Sequence, residues 1–190
     1  VSQDQNTIYI GSDRLVFSLE PETGAVNWTF ESPNHFISSP TLSGGRVYIG
    51  AGAPEDDGDG YVHALDDQGD QVEELWRREF PDANVRSTAA VSGGTVFVGT
   101  LSGSSINPAQ ETLTSDSIDT RVDTYGVTAE TAASDLTGSV WALDADTGEV
   151  NWTYGNGGVF SSPAVAENTV FIGVRNVESE TSRVVALDQD

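Results

Sequence analysis

The sequence predicts an all-β fold: about four small antiparallel sheets of four strands each, the first and last incomplete, set side by side in a radial array. Three observations carry that reading. A segment of the form branched, aromatic, branched, glycine recurs as Ile8-Tyr9-Ile10-Gly11, Val47-Tyr48-Ile49-Gly50, Val96-Phe97-Val98-Gly99 and Val170-Phe171-Ile172-Gly173. After each comes a second shared segment, Val16-Phe17-Ser18-Leu19-Glu20, Val62-His63-Ala64-Leu65-Asp66, Val140-Trp141-Ala142-Leu143-Asp144 and Val184-Val185-Ala186-Leu187-Asp188. These segments are apolar on both alternating faces, so both faces need cover. Repeated sheets stacked on one another supply that cover.

Each unit divides into four strands, a to d. Strand a reads Phe36-Ile37-Ser38-Ser39-Pro40, Val85-Arg86-Ser87-Thr88-Ala89 and Val159-Phe160-Ser161-Ser162-Pro163, with no convincing copy in the first unit. It precedes strand b at a constant interval: Ser39 to Val47, Thr88 to Val96 and Ser162 to Val170 are each eight residues. Strands b and c are the two segments above. Strand d carries Trp28, Trp76 and Trp152, and the last unit ends before its own copy. Ser43-Gly44-Gly45 and Ser92-Gly93-Gly94 turn the chain between a and b. Glu22-Thr23-Gly24 and Asp146-Thr147-Gly148 turn it between c and d. In strand c, Val140 and Ala142 point one way and Trp141 and Leu143 the other. The repeated tryptophans are expected to fill the gaps between sheets, burying roughly 150–250 Å² apiece. The whole chain, 1–190, reads as one repeat domain with units of roughly 1–32, 33–80, 81–155 and 156–190 and an insertion at 100–137.

Ala142 to Trp152 resembles the tryptophan-docking motif, Ala-x-Asp-x-x-Thr-Gly-x-x-x-Trp, of pyrroloquinoline-quinone (PQQ)-type propeller repeats, and matches it completely. Ser18 to Trp28 resembles it with Ser18 for Ala and Glu20 for Asp. Ala64 to Trp76 lacks Thr-Gly and is two residues longer. The resemblance implies a β-propeller, commonly eight-bladed, with strand a innermost and with Trp28, Trp76, Trp152, Gly24 and Gly148 docking one blade on the next. Kelch and WD40 repeats fit less well, because the Gly-Gly pairs precede strand b and no Trp-Asp dipeptide ends a strand. About fourteen strands make some three and a half blades. Three readings follow: a fragment of a longer protein, a half-propeller that closes by self-association, or a compact four-bladed ring. Dehydrogenases of the family hold PQQ and calcium on the propeller axis, and many have a vicinal Cys pair. This chain has no Cys, and the family's catalytic Asp and its calcium and quinone contacts map onto no position here.

Charge separates this chain from most. There are 30 acidic residues against 8 basic ones, all Arg, for a formal net charge of −22. Self-repulsion of that size opposes compaction in dilute salt. At molar salt the screening length falls to about 3 Å and the penalty largely disappears. The composition therefore reads as adaptation to a saline environment. The same charge argues against nucleic acid or an anionic membrane as partner. No apolar run approaches the ~20 residues of a membrane span, and no signal peptide is visible. Family analogy places the chain at the cell surface or otherwise outside the cytoplasm.

Loop lengths point to one rim. From the Gly ending strand b to the first Val of strand c there are 5 residues in the first unit, 12 in the second, 41 in the third and 11 in the fourth. Because neighbouring strands alternate direction, every b–c loop leaves the same edge of the array. Insertions concentrated on one edge mark a binding face, although long surface loops are also tolerated at little cost. A protein or small ligand is the expected partner there, and no catalytic residue is assigned. The acidic loop Pro54 to Gly60 offers Asp56, Asp57 and Asp59 as oxygen ligands for a hard cation such as calcium, without the order of an EF-hand and with a solvated acidic turn as the plainer reading. His63 occupies the slot of Phe17, Trp141 and Val185 and reads as a packing residue. Ser38, Ser39, Ser161 and Ser162 repeat with the unit and have no repeating His partner, which makes them structural. Arg86 replaces Ile37 and Phe160 and could turn a charge inward. Asn27-Trp28-Thr29 and Asn151-Trp152-Thr153 match glycosylation acceptors.

Overall fold

Alternating branched and aromatic residues give extended chain, and the glycine turns fold it back on itself. The computed structural model of the chain describes residues 7–52, 58–102, 137–155, 158–159, 161–176 and 181–189. These form four antiparallel sheets in chain order. The first holds β1 (Ile8–Ser12), β2 (Leu15–Leu19) and β3 (Val26–Glu31). The second holds β4 (His35–Phe36), β5 (Thr41–Ser43), β6 (Arg46–Gly52), β7 (Gly60–Asp67) and β8 (Val72–Phe80). The third holds β9 (Ala83–Asn84), β10 (Ala90–Ser92), β11 (Thr95–Ser102), β12 (Thr137–Asp144) and β13 (Val150–Gly155). The fourth holds β14 (Gly158–Val159), β15 (Ala164–Ala166), β16 (Thr169–Asn176) and β17 (Thr181–Asp188). The all-β propeller architecture read from the sequence is the one observed.

Strand a differs from the expectation of one continuous strand. It is split in two around a serine, and both halves pair with strand b. Ser38 Oγ donates to the carbonyl of Gly50 at 3.2 Å and accepts from its N–H at 2.7 Å. Ser87 does the same to Gly99, at 3.2 and 2.7 Å, and Ser161 to Gly173, at 3.2 and 2.8 Å. The hydroxyl replaces the missing stretch of ladder, so the backbone groups of the glycine stay satisfied although the neighbouring strand has left. Ser87 is nearly fully buried. We expect Ser87→Ala to cost about 1–3 kcal/mol, because both polar groups of Gly99 lose their partner away from water. Chemical denaturation in molar KCl measures it, and an unchanged midpoint would contradict the assignment.

Each sheet packs on the next through opposite faces, and among the described residues the principal contacts run only between sequence neighbours. Val16, Trp28, Phe36, Val47, Ile49 and Leu65 form the core between the first and second sheets. Tyr48, Val62, Ala64, Trp76, Val96, Val98 and Leu143 form the one between the second and third. Val140, Val159, Ile172 and Val174, with Phe97, Ala142 and Val170, join the third to the fourth. Gly11, Gly50 and Gly99, which end the branched-aromatic-branched segments of the first three sheets, sit in these contacts. A Cβ on Gly50 would lie 2.6 Å from Val85 Cγ1 and 2.8 Å from the Val85 carbonyl, so only glycine lets the sheets approach this closely.

Candidate functional site

The tryptophans of strand d lie at the joints. The indole N–H of Trp28 donates to Asp67 Oδ1 at 2.9 Å, that of Trp76 to the Ala145 carbonyl at 3.0 Å and that of Trp152 to the Gln189 carbonyl at 3.0 Å. Asp67, Ala145 and Gln189 occupy the same place in the repeat, two residues beyond the recurring Leu of strand c. Each indole also tilts against the strand-b aromatic of its own sheet, with centroids at 5.8 Å for Tyr9–Trp28, 6.0 Å for Tyr48–Trp76 and 5.8 Å for Phe97–Trp152. Gly148, in the Thr-Gly turn of the third sheet, has φ 72° and would place a Cβ 2.6 Å from Trp76. Gly24 has φ 71° in the matching turn of the first sheet and faces open space.

The carboxylate before that turn is tuned for it. Asp144 Oδ1 accepts from the N–H groups of Asp146 and Thr147, both at 2.9 Å, and from the Thr147 hydroxyl at 3.0 Å. The Thr147 hydroxyl, then its N–H, hold the carboxyl below the usual range. Glu20 takes the hydroxyl of Thr23 in the first sheet, which is how a Glu serves where the motif has Asp.

A polar relay absent from the sequence reading crosses the first joint. His63 is wholly buried among Phe30, Phe36 and Tyr61. Its Nδ1 lies 2.7 Å from Glu74 Oε1 and its Nε2 3.0 Å from Ser32 Oγ. A carboxylate only accepts, so Nδ1 carries a proton. Ser32 Oγ also accepts from the Asn34 N–H at 3.2 Å. The order Ser, His, Glu is that of a hydrolytic triad, yet Ser32 is 1% and His63 0% exposed. No substrate reaches them, and the relay ties the end of β3 to the second sheet. The hydrogen bond from His63 holds the Glu74 carboxyl below its ordinary 4.5. A depressed carboxyl stabilises the fold above its unfolded value and loses that contribution as pH falls through its folded one. We therefore expect Glu74→Gln to lower the denaturation midpoint at pH 7 and to flatten its decline below about pH 4.5. Parallel pH series in urea would show this, and identical slopes would refute it.

The open rim site lies between the second and third sheets, where the b–c loops emerge. A cleft of about 490 Å³ is lined by Arg78 and Phe80 of the second sheet and by Ala83, Thr100, Ser139 and Trp141 of the third. That volume is in the range of ligand pockets. Trp141 stands edge-on to Phe80, centroids 5.1 Å apart. Its indole N–H donates to Thr100 Oγ1 at 3.0 Å, which fixes the ring. Glu79, Ser102 and Thr137 complete the mouth. Trp141 is the one tryptophan outside the docking slot of strand d, a signal already present in the sequence. Arg78 and Thr100 had none, since their meeting depends on how two sheets pack.

Several sequence expectations fall elsewhere. β11 runs through Thr100, Leu101 and Ser102, and β12 begins at Thr137. The insertion expected over 100–137 thus gives four residues to the sheet, because Thr100 pairs with Ser139 and Ser102 with Thr137. Residues 103–136 lie outside the described residues, as do Asp56 and Asp57. Asp59 is described: its Oδ1 accepts from the Asp82 N–H at 3.1 Å and its carbonyl from Asn34 Nδ2 at 2.5 Å. Arg86 is exposed rather than turned into the core, because Val85 and Ser87 on either side take the buried positions. Among the described residues no three His, Cys, Asp or Glu side chains converge to hold a metal. No helix among them is long and apolar enough to cross a membrane.

The radial sheets, the serine-bridged strands and the docked indoles define a propeller of the PQQ-like type. The family model described as "Outer membrane protein assembly factor BamB" matches residues 1–110 and again 109–190, and the chain belongs to that family. Among solved structures, BamB from Moraxella catarrhalis is similar at 16% identity and a TM-score of 0.57, over 100% of this chain and 46% of that one. The quinohemoprotein alcohol dehydrogenase from Comamonas testosteroni is similar at 16% identity and a TM-score of 0.65, over 97% of this chain and 32% of that one. The computationally designed Ika4 protein is similar at 15% identity and a TM-score of 0.61, over 98% and 88%. The chain thus spans less than half the length of the two natural proteins. No curated protein matches.

Proposed function

We propose that this chain is a non-catalytic PQQ-like propeller module that binds a protein or small ligand at its b–c loop rim, outside the cytoplasm of a salt-adapted cell. The observation that carries this reading is the cleft at Trp141, which sits where the rim loop is longest and pairs a fixed aromatic edge with Arg78, Glu79 and hydroxyl groups. Aromatic and Arg side chains together are the usual anchors of recognition surfaces. The family's description as an assembly factor supports a role in holding partners. The net charge of −22 supports saline conditions.

Affinity capture in molar KCl from an extract of the source cells tests this reading. Wild type is compared with Trp141→Ala, Arg78→Glu and a deletion of Ser104 to Ser134. Specific retention lost in the first two variants, at unchanged melting temperature, supports rim binding. Retention equal in all of them removes it. A melting curve against KCl tests salt adaptation, and stability flat from dilute to molar salt would remove that element.

A second reading, part of a quinoprotein dehydrogenase, is favoured by the likeness to the quinohemoprotein alcohol dehydrogenase. PQQ with calcium would need converging oxygen ligands, and among the described residues no three His, Cys, Asp or Glu side chains come together. Alcohol-dependent dye reduction by the chain after incubation with PQQ and calcium would favour this reading over the first.

A further inference from the structure

The three joints between sheets differ at one place, and the rim cleft lies there. Along β8, Trp76, Arg78 and Phe80 share a face, since they pair with Ala64, Val62 and Gly60. Ala64, Val62 and Trp76 are buried in the joint with the third sheet, so this face is the one turned to that sheet. Two residues beyond the docked indole, the first sheet has Phe30 and the third has Tyr154 in the same register. Phe30 packs into the first joint and lies 5.3 Å, ring to ring, from His63. Tyr154 packs into the third joint. Two joints therefore fill this place with an aromatic ring. The middle joint puts the guanidinium of Arg78 there and opens into the cleft.

Other guanidinium groups have partners. Arg14 pairs with Glu31 at 3.4 Å and Arg46 with Asp146. Arg77 lies over the Tyr61 ring at 5.2 Å, and Arg183 donates to the Tyr154 hydroxyl at 3.3 Å. Among the described residues, Arg78 has no hydrogen bond, ion pair or ring contact. It is half-buried, so it loses hydration with nothing in return. In a chain with 30 acidic residues a carboxylate partner is the ordinary outcome, and here there is none. Glu79, the next residue, leaves β8 on the other face, opposite Tyr61 in the register.

The walls around Arg78 define what it would hold. A guanidinium is a planar fork that meets a carboxylate through two parallel hydrogen bonds. Trp141, its ring fixed by the bond to Thr100, and Phe80 give a flat apolar surface beside it. Ser139 adds a hydroxyl from the facing sheet. Against a net charge of −22, a single negative charge enters at less cost than the nearly two of a phosphate. We infer that the cleft binds a small organic acid, its carboxylate on Arg78 and its flat apolar body against Trp141 and Phe80. This rests on the rim-binding reading and narrows it to one class of ligand, for which the cleft's volume is suited.

Phenylacetate is the probe, titrated into the full chain in about 2 M KCl, where the screening length is only a few ångströms. The 4 tryptophans give separate indole N–H signals in a nitrogen–proton correlation spectrum, and Trp141→Phe identifies the one from the cleft. That signal is expected to move and saturate while those of Trp28, Trp76 and Trp152 stay in place. Arg78→Gln is expected to weaken binding about ten-fold or more, the share of one charge-assisted pair. Arg78→Phe, which gives this joint the ring its neighbours have, is expected to abolish binding without lowering the melting temperature. Phenylacetamide, the same shape without the charge, is expected to bind about ten-fold more weakly or worse. A cleft signal that stays still up to the solubility of the acid overturns the inference. Capture of a partner that is still lost in Trp141→Ala would then leave the rim reading standing without it. Equal binding of the acid and the amide overturns the inference, and so does Arg78→Gln binding as wild type does. Binding that emerges only after deletion of Ser104 to Ser134 overturns it too, since a carboxylate of the chain itself then serves Arg78.

Discussion

Trp76→Ala is expected to lower the unfolding free energy by about 3–5 kcal/mol, a large fraction of the total for an ordinary domain. The indole is 9% exposed and touches three things at once. It lies on the Gly148 turn, tilts on Tyr48 and donates to the Ala145 carbonyl. Truncation leaves a cavity between two sheets that cannot collapse without shifting the whole joint, and it removes one of three hydrogen bonds to the Ala145 carbonyl, which keeps those from Tyr48 and Arg46. Trp152→Ala is expected to cost less, because that ring is only partly buried. Guanidinium melts in molar KCl compare the two, and equal losses would show that the joint is not what the indole stabilises.

Gly148→Ala is expected to be the second most damaging single change, at about 2–5 kcal/mol. Two separate costs combine. A φ of 72° is left-handed, which costs an alanine roughly 1–2 kcal/mol. The new methyl would also lie 2.6 Å from the Trp76 ring, and overpacking costs about 1–3 kcal/mol. Gly24 supplies the internal control. Its φ of 71° carries the same backbone cost with nothing within reach of the methyl, so Gly24→Ala should cost about 1–2 kcal/mol only. Placing Gly148→Ala in a Trp76→Ala background should bring its effect down to the Gly24 value, since neighbours in contact are not additive. If the two glycines respond alike in the wild-type background, the steric half of this account is wrong.

The repeat itself was legible because every part of it is local. Strand alternation, the Thr-Gly turn and the Asp or Glu that closes it lie within a dozen residues, and each copy repeats the same chemistry. Recurrence marks Ser38 and Ser161 as structural, and the structure adds Ser87 in the same role. Their task of bridging to a glycine twelve residues away, which splits strand a, was not visible, because a run such as Phe36 to Pro40 reads as unbroken extended chain. The rim was legible from loop lengths. The cleft was not, since Arg78 and Trp141 meet only when β8 and β12 face each other across a joint.

His63 shows the limit most sharply. Its slot identified it as a packing residue, and it does pack, among three aromatic rings. Its hydrogen bonds to Ser32 and Glu74 reach 31 and 11 residues away, into the preceding sheet and the neighbouring strand. The same holds for Trp28, whose slot was evident and whose partner, the Asp67 carboxylate, was not.

By itself the sequence determined the strands, their turns, the sheet-by-sheet repeat and which side chains are apolar on which face, since all of these follow from the two-residue period and from turn residues acting on their own neighbours. The tertiary structure alone decided which indole meets which turn, where a buried histidine finds its carboxylate and where the rim opens into a cleft. Those outcomes depend on the spacing and twist of one sheet against the next, and no local stretch of chain encodes either.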